Sequence, residues 1–164
     1  MARCVLAGII VTYALAVFQT TLGGRIALGG VAPDLLFVWT VTVGLLSGRT
    51  LGALTGFGSG LLEGCLTQAW MGSFAFSKMV SGFAAGLLAT KMSRDNWAVP
   101  SVCAMLLTVV NETAFLLTSQ AGGWHQAGRI IGLRAIYHGA LAPLAFALTI
   151  RARRALAHAR EEMA

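Results

Sequence analysis

Six apolar stretches, separated by short polar segments, run through the 164 residues of the chain. A helix needs about 20 mostly apolar residues to cross a membrane, and by this criterion the pattern predicts six spanning helices. They lie at residues 4–22, 34–48, 50–67, 73–90, 97–118 and 131–150. The second stretch reaches only about 22 Å as a helix, so five spanning helices are the alternative. The predicted fold is an all-α integral membrane protein, a bundle of six transmembrane helices.

The third stretch, GALTGFGSGLLEG, carries a glycine at every fourth position. On an ideal helix these glycines share one face with Glu63, and the leucines lie on the opposite face. The glycines are Gly52, Gly56, Gly60 and Gly64. Because lipid tails are as apolar as leucine, membrane helices associate through close backbone contact, which glycine permits. This face is predicted to pack against another helix, either of the same chain or of a partner.

The fourth stretch repeats this arrangement with the opposite charge. Gly82 and Gly86 lie on one helical face with Lys78, and phenylalanine and leucine cover the other face. A charged side chain within the hydrocarbon normally faces the bundle interior and has a partner there. Since only a short turn joins the third and fourth stretches, Glu63 and Lys78 are expected at a similar depth. We therefore predict a buried ion pair between them.

Further ionisable side chains are expected at the same depth. Asp34 begins the second helix, Glu112 lies in the fifth, and Arg134 and His138 lie one turn apart in the sixth. The sequence thus predicts an intramembrane polar cluster. The cluster consists of Asp34, Glu63, Lys78, Glu112, Arg134 and His138. Two interpretations remain open, since these groups either bind or transmit something or form internal pairs that fix the helix packing.

Composition excludes several classes of function. The chain is 57% hydrophobic and only 11% charged, far below the roughly 25% charged content of soluble domains. The net charge of +6 does not indicate nucleic-acid binding, because the basic residues lie between apolar stretches rather than along one face. Cys4, Cys65 and Cys103 lie in apolar segments without ligand spacing, so no metal is expected. No catalytic motif is present, and we expect neither enzymatic activity nor a cofactor.

The distribution of basic residues predicts the orientation, because cytoplasmic loops are enriched in lysine and arginine. With both termini in the cytoplasm, eight basic residues lie inside and two, Arg25 and Arg129, lie outside. The eight are Arg3, Arg49, Lys91, Arg94, Arg151, Arg153, Arg154 and Arg160. Residues 1–150 are interpreted as one transmembrane domain and residues 151–164 as a short basic cytoplasmic tail.

Three segments of the sequence resemble a known family. The segments APDLLFVWTVTVGLLSGRTLGALTGFGSGLLEG, MGSFAFSKMVSGFAAGLL and YHGALAPLAF are similar to the bacterial rod-shape-determining membrane protein family MreD. The resemblance covers about half of the chain, mainly residues 32–90. The family commonly has an aspartate near the end of the third helix, where this chain has Glu63.

The resemblance implies a non-enzymatic subunit of the cell-wall elongation complex in the bacterial inner membrane, which supports peptidoglycan synthesis and cell shape. It also implies an MreC-like single-pass protein as the partner, close to the wall polymerase and transpeptidase and to MreB filaments. The family is similar in fold to the substrate-binding subunits of energy-coupling-factor vitamin transporters. Such a vitamin-binding subunit is therefore the alternative function.

Overall fold

The computed structural model describes residues 2–27, 30–90, 98–119 and 124–161, and the regular elements in them are six helices. In chain order these are α1 (Ala2–Ile26), α2 (Leu35–Ser47), α3 (Arg49–Thr67), α4 (Met71–Leu88), α5 (Ala98–Ser119) and α6 (Trp124–Glu161). The all-helical fold is as predicted, and each helix overlaps one apolar stretch. Lys91 and Arg94, which contribute to the charge count above, lie outside the described residues.

Three helices are long and apolar enough to cross a membrane. They are α4, α5 and the segment Ala127–Ala155 of α6, which is consistent with a multi-pass membrane protein. The apolar segments Leu6–Thr21 and Leu35–Ser47 are shorter. Helix α3 is less apolar because its inward face carries glycines, Ser59 and Glu63, all of which are buried within the protein.

Helix α2 lies at the centre of the bundle. It contacts each of the five other helices, and Leu36, Phe37 and Val41 are at most 1% exposed. With 13 residues it is about 20 Å long, shorter than the hydrocarbon layer of about 30 Å. Because neighbouring helices enclose it, its first turn can lie inside the bundle, where its backbone N–H groups need partners from the protein.

Helices α3 and α4 pack against each other through the two faces of small residues predicted from the sequence. A Cβ atom added at Gly56 would overlap the backbone of Lys78, and one added at Gly60 would overlap the backbone of Phe74. Gly52 and Gly82 oppose each other in the same way. Gly64 lies against Met71, and Gly86 lies against Arg49. Of the two interpretations of these glycines, the structure therefore supports packing within the chain.

The apolar core lies between α2, α4, α5 and α6. Its buried members are Phe37, Val38, Val41, Leu45, Ala85, Cys103, Ala104, Leu107 and Ala142. Helix α1 is more peripheral, since it contacts only α2 and α3 among the described elements. Its inward face includes Ala16, which is fully buried, and Thr12, whose hydroxyl accepts a hydrogen bond from the Trp39 indole at 3.0 Å.

Helix α6 is longer than its apolar stretch. Expected at residues 131–150, the helix begins at Trp124 and continues to Glu161. Most of what was interpreted as a tail is therefore a direct extension of the last helix. Arginine, alanine and leucine, which dominate this extension, are among the best helix-forming residues, whereas a criterion based on apolar length ends the helix at the first charges.

Candidate functional site

The predicted polar residues meet at the first turn of α2, where Lys78 is the central charge. Lys78 lies on α4 and is 1% exposed. Its Nζ forms an ion pair with Asp34 Oδ2 and lies 3.0 Å from Glu63 Oε2. The predicted contact between Glu63 and Lys78 is thus present, and Asp34 is a second partner that the sequence did not assign to this lysine. One ammonium group is shared by two buried carboxylates from α3 and from the start of α2.

The first turn of α2 is held by side chains. The first four N–H groups of a helix have no partner within it. Asp34 Oδ1 accepts a hydrogen bond from the backbone N–H of Phe37 at 2.8 Å, which makes Asp34 the N-cap. The N–H of Leu36 donates to Gln19 Oε1 at 3.1 Å, and the N–H of Asp34 donates to His138 Nε2 at 3.0 Å. Helices α1 and α6 therefore both contribute to capping α2.

The contacts of His138 define its protonation state. Because Nε2 accepts from the N–H of Asp34, it carries no hydrogen, and the hydrogen of a neutral ring must lie on Nδ1. Nδ1 lies 2.8 Å from the hydroxyl of Thr108, which itself donates to the carbonyl of Ala104 at 2.6 Å. Thr108 Oγ1 thus accepts from Nδ1. His138 is therefore a neutral, fully hydrogen-bonded residue, and it also lies against the ring of Phe37.

Gln19 joins the capping contacts to the ion pairs. Its Nε2 donates to Glu63 Oε1 at 3.1 Å while its Oε1 accepts from Leu36. Gln19 and Thr108 were not predicted to belong to this cluster, because both are uncharged. The available signal was that Gln19 is the one amide side chain in the first apolar stretch. We define the central cluster as Asp34, Glu63, Lys78, His138, Gln19 and Thr108.

The two remaining predicted residues form a separate pair between α5 and α6. Arg134 Nη1 donates to Glu112 Oε1 at 2.7 Å, and Asn111 Nδ2 lies 3.4 Å from the same oxygen. The side chain of Glu112 is 7% exposed and that of Arg134 is 31% exposed. Asn111 Oδ1 and Arg134 Nε have no hydrogen-bond partner. The six residues predicted as one cluster are thus divided into four in the central cluster and this neighbouring pair.

The side chains of the central cluster form hydrogen bonds and ion pairs mainly with one another and with the backbone of α2. Both nitrogens of His138 are engaged, Lys78 is held by two acids, and Gln19 uses its donor and its acceptor. Buried polar groups that satisfy one another fix a unique arrangement of the helices that carry them. Among the described residues, no three histidine, cysteine, aspartate or glutamate side chains are grouped as a metal site would require.

Comparisons with known proteins were made at the levels of family, sequence and structure. No protein-family model matches the chain, and no curated protein or solved structure is significantly similar to it. Function has therefore to be inferred from the contacts described above together with the resemblance in the sequence.

Proposed function

We propose that the protein is a non-enzymatic membrane subunit of the bacterial cell-wall elongation complex, which binds an MreC-like single-pass protein through its helices. The resemblance to the MreD family motivates this proposal. The observation that carries it is the pairing of charges inside the central cluster, in which Lys78 forms ion pairs with Asp34 and Glu63 and so joins α2, α3 and α4. Such an interior suits a subunit that presents a fixed outer surface to other proteins.

We propose that the partner helix binds to α6. The glycines on the facing sides of α3 and α4 lie against the opposite helix and are not available to a partner. They are Gly52, Gly56, Gly60, Gly64, Gly82 and Gly86. Gly128 and Gly132 of α6 also lie four residues apart, but both are exposed and neither has an atom within 4 Å of the position that a Cβ would occupy. Glycine at this spacing allows close approach of a second helix in a bilayer. The partner helix docks on this face in the proposal.

Replacing Gly128 and Gly132 together by leucine tests the docking face. Retention of a candidate MreC protein during purification in mild detergent should fall at least about tenfold, which corresponds to about 1.4 kcal/mol. The matched control is Gly58→Leu, since Gly58 of α3 is also exposed and has open space around it. This control should retain the partner as the wild type does.

The outcomes of this experiment distinguish an error in the proposed function from an error in the proposed position of the partner contact. A wild-type protein that never retains an MreC-like protein contradicts the proposed function. If the wild type and the Gly128→Leu, Gly132→Leu variant retain it equally, the contact lies elsewhere. The outer face of α1, where Leu6, Ile9 and Ile10 are each about 60% exposed, is then the surface to mutate next.

A substrate-binding subunit of a vitamin transporter is the second candidate. It is favoured by three buried polar atoms near the α5–α6 contact that have no hydrogen-bond partner, Asn111 Oδ1, Arg134 Nε and Tyr137 Oη. Ligand sites present such polar groups to orient the bound molecule. A thermal-shift screen with water-soluble vitamins distinguishes the two functions, because a ligand that binds only the folded protein raises its stability. A shift that is lost in Asn111→Leu would replace the elongation proposal.

The proposal includes six spanning helices with both termini in the cytoplasm. Cysteine labelling tests this orientation in a background without the native cysteines. Gly72→Cys lies at an exposed position with open space at the start of α4, and Ala155→Cys lies at an exposed position in the extension of α6. A membrane-impermeant maleimide added to spheroplasts should label position 72 and leave position 155 unlabelled. The reverse pattern would invert the proposed orientation.

A further inference from the structure

Helix α6 carries arginines at both ends of its long apolar segment. Its membrane-crossing segment, Ala127–Ala155, has 29 residues and is therefore about 44 Å long. A bilayer including its headgroup regions is about 40–45 Å thick. If the helix crosses close to the membrane normal, Arg151, Arg153 and Arg154 lie at one headgroup layer, and Arg129 lies at the opposite one.

One of these arginines fixes the rotation of the helix. Arg153 Nη2 donates to the hydroxyl of Ser47 at 2.5 Å, and Nη1 lies 3.5 Å from the carbonyl of Leu46, so that Arg153 faces the end of α2. At about 100° per residue, Arg151 and Arg154 then lie about 160° and 100° around the helix from Arg153. The two side chains are about 60° apart and point away from the bundle, where both are exposed.

The same end of the bundle carries another exposed arginine. Arg49 begins α3, two residues after Ser47, the residue bound by Arg153. The acidic side chains that the structure describes, Asp34, Glu63 and Glu112, are all paired in the interior. The charges of Arg49, Arg151 and Arg154 are therefore not neutralised by any described side chain.

We infer that Arg151 and Arg154 form a binding surface for the phosphate groups of anionic phospholipids in the adjacent leaflet. The planar guanidinium group matches phosphate oxygens in pairs, and basic side chains at a membrane surface attract anionic lipids. The length of the apolar segment of α6 favours lipid over a soluble acidic partner, because a helix that crosses the bilayer near its normal would hold Arg151 and Arg154 at the headgroup layer. The inference depends on the chain lying in a membrane, but it does not depend on the elongation function.

Lipid selectivity of the reconstituted full-length protein tests the inference. Spin-labelled phosphatidylglycerol and phosphatidylcholine are compared by the fraction of each lipid that the protein immobilises. The wild type should prefer phosphatidylglycerol, and high salt should reduce the preference because screening weakens surface electrostatics. Arg151→Gln with Arg154→Gln should lower the preference at least about threefold. The control Arg25→Gln with Arg129→Gln removes two exposed arginines at the opposite end and should leave most of the preference intact.

A variant that conserves the charge, and the results of the control pair, complete the test. Arg151→Lys with Arg154→Lys keeps the charge and should retain part of the preference, which separates lipid binding from a folding defect. An unchanged preference in the glutamine variant would overturn the inference, as would an equal loss in the control pair. If the glutamine variant keeps its lipid preference but loses a protein partner, the arginines serve that protein rather than lipid.

Discussion

Lys78→Met should lower the free energy of unfolding by about 3–5 kcal/mol, because removing one partner of a buried ion pair leaves an uncompensated charge. The effect should lie at the upper end of this range, since Lys78 is the partner of both Asp34 and Glu63. Titration with sodium dodecyl sulfate, followed by tryptophan fluorescence in detergent, measures the change.

Neutralising the two carboxylates should restore stability stepwise. Glu63→Gln added to Lys78→Met should recover part of the loss, and Asp34→Asn added to both should recover more. Asparagine is also a good N-cap, so the hydrogen bond from the N–H of Phe37 can persist in the triple variant. Residues in direct contact are expected to show such coupling. If the triple variant is no more stable than Lys78→Met, the three charges are not coupled in the folded protein.

Gly56→Leu with Gly60→Leu should destabilise the bundle by more than about 4 kcal/mol, a loss that is exceptional for substitutions. The new Cβ atoms would overlap the backbones of Lys78 and Phe74, and backbone atoms of a packed helix cannot move aside as the end of a side chain can. Separation of α3 from α4 would also pull Lys78 away from Glu63. The same titration measures the loss, and poor recovery of folded protein in detergent is the expected extreme.

The neighbouring glycine provides the control for this substitution. Gly58 lies between the two mutated positions, but it is exposed and has open space around it. Gly58→Leu should be neutral or stabilising by up to about 1 kcal/mol, because leucine favours the helix more than glycine does. A double variant at Gly56 and Gly60 that is as stable as Gly58→Leu would contradict the packing of α3 on α4.

The elements of the fold were predictable because the length of an apolar stretch and the spacing of its small residues can be read from neighbouring residues alone. The faces of α3 and α4 followed from the fourfold glycine spacing and from one short turn between the helices. The position of α2 at the centre was not predictable, because its apolar composition fits lipid and protein surroundings equally. The start of α6 at Trp124 was also missed, since the polar residues before position 131 are helical without being apolar.

The candidate site was predictable as a set of charges but not as a set of contacts. Glu63 and Lys78 could be paired because they lie on adjacent helices close to a turn. The pairing of Asp34 with Lys78 and of Arg134 with Glu112 depends on how distant helices are arranged, which spacing alone does not determine. Gln19 and Thr108 were missed because uncharged polar residues in an apolar stretch can also bond to their own helix, as Thr12 does with the carbonyl of Gly8.

The cap of α2 joins residues that are far apart in the sequence. Gln19 is synthesised before α2. His138 is synthesised 104 residues after Asp34, and its Nε2 accepts a hydrogen bond from the N–H of Asp34. During synthesis, α3 and α4 can pair as soon as both have emerged, since one short turn joins them. The N–H of Asp34 can form this hydrogen bond only after α6 has been synthesised. The interior that the structure describes is therefore closed only once α6 joins the helices made before it.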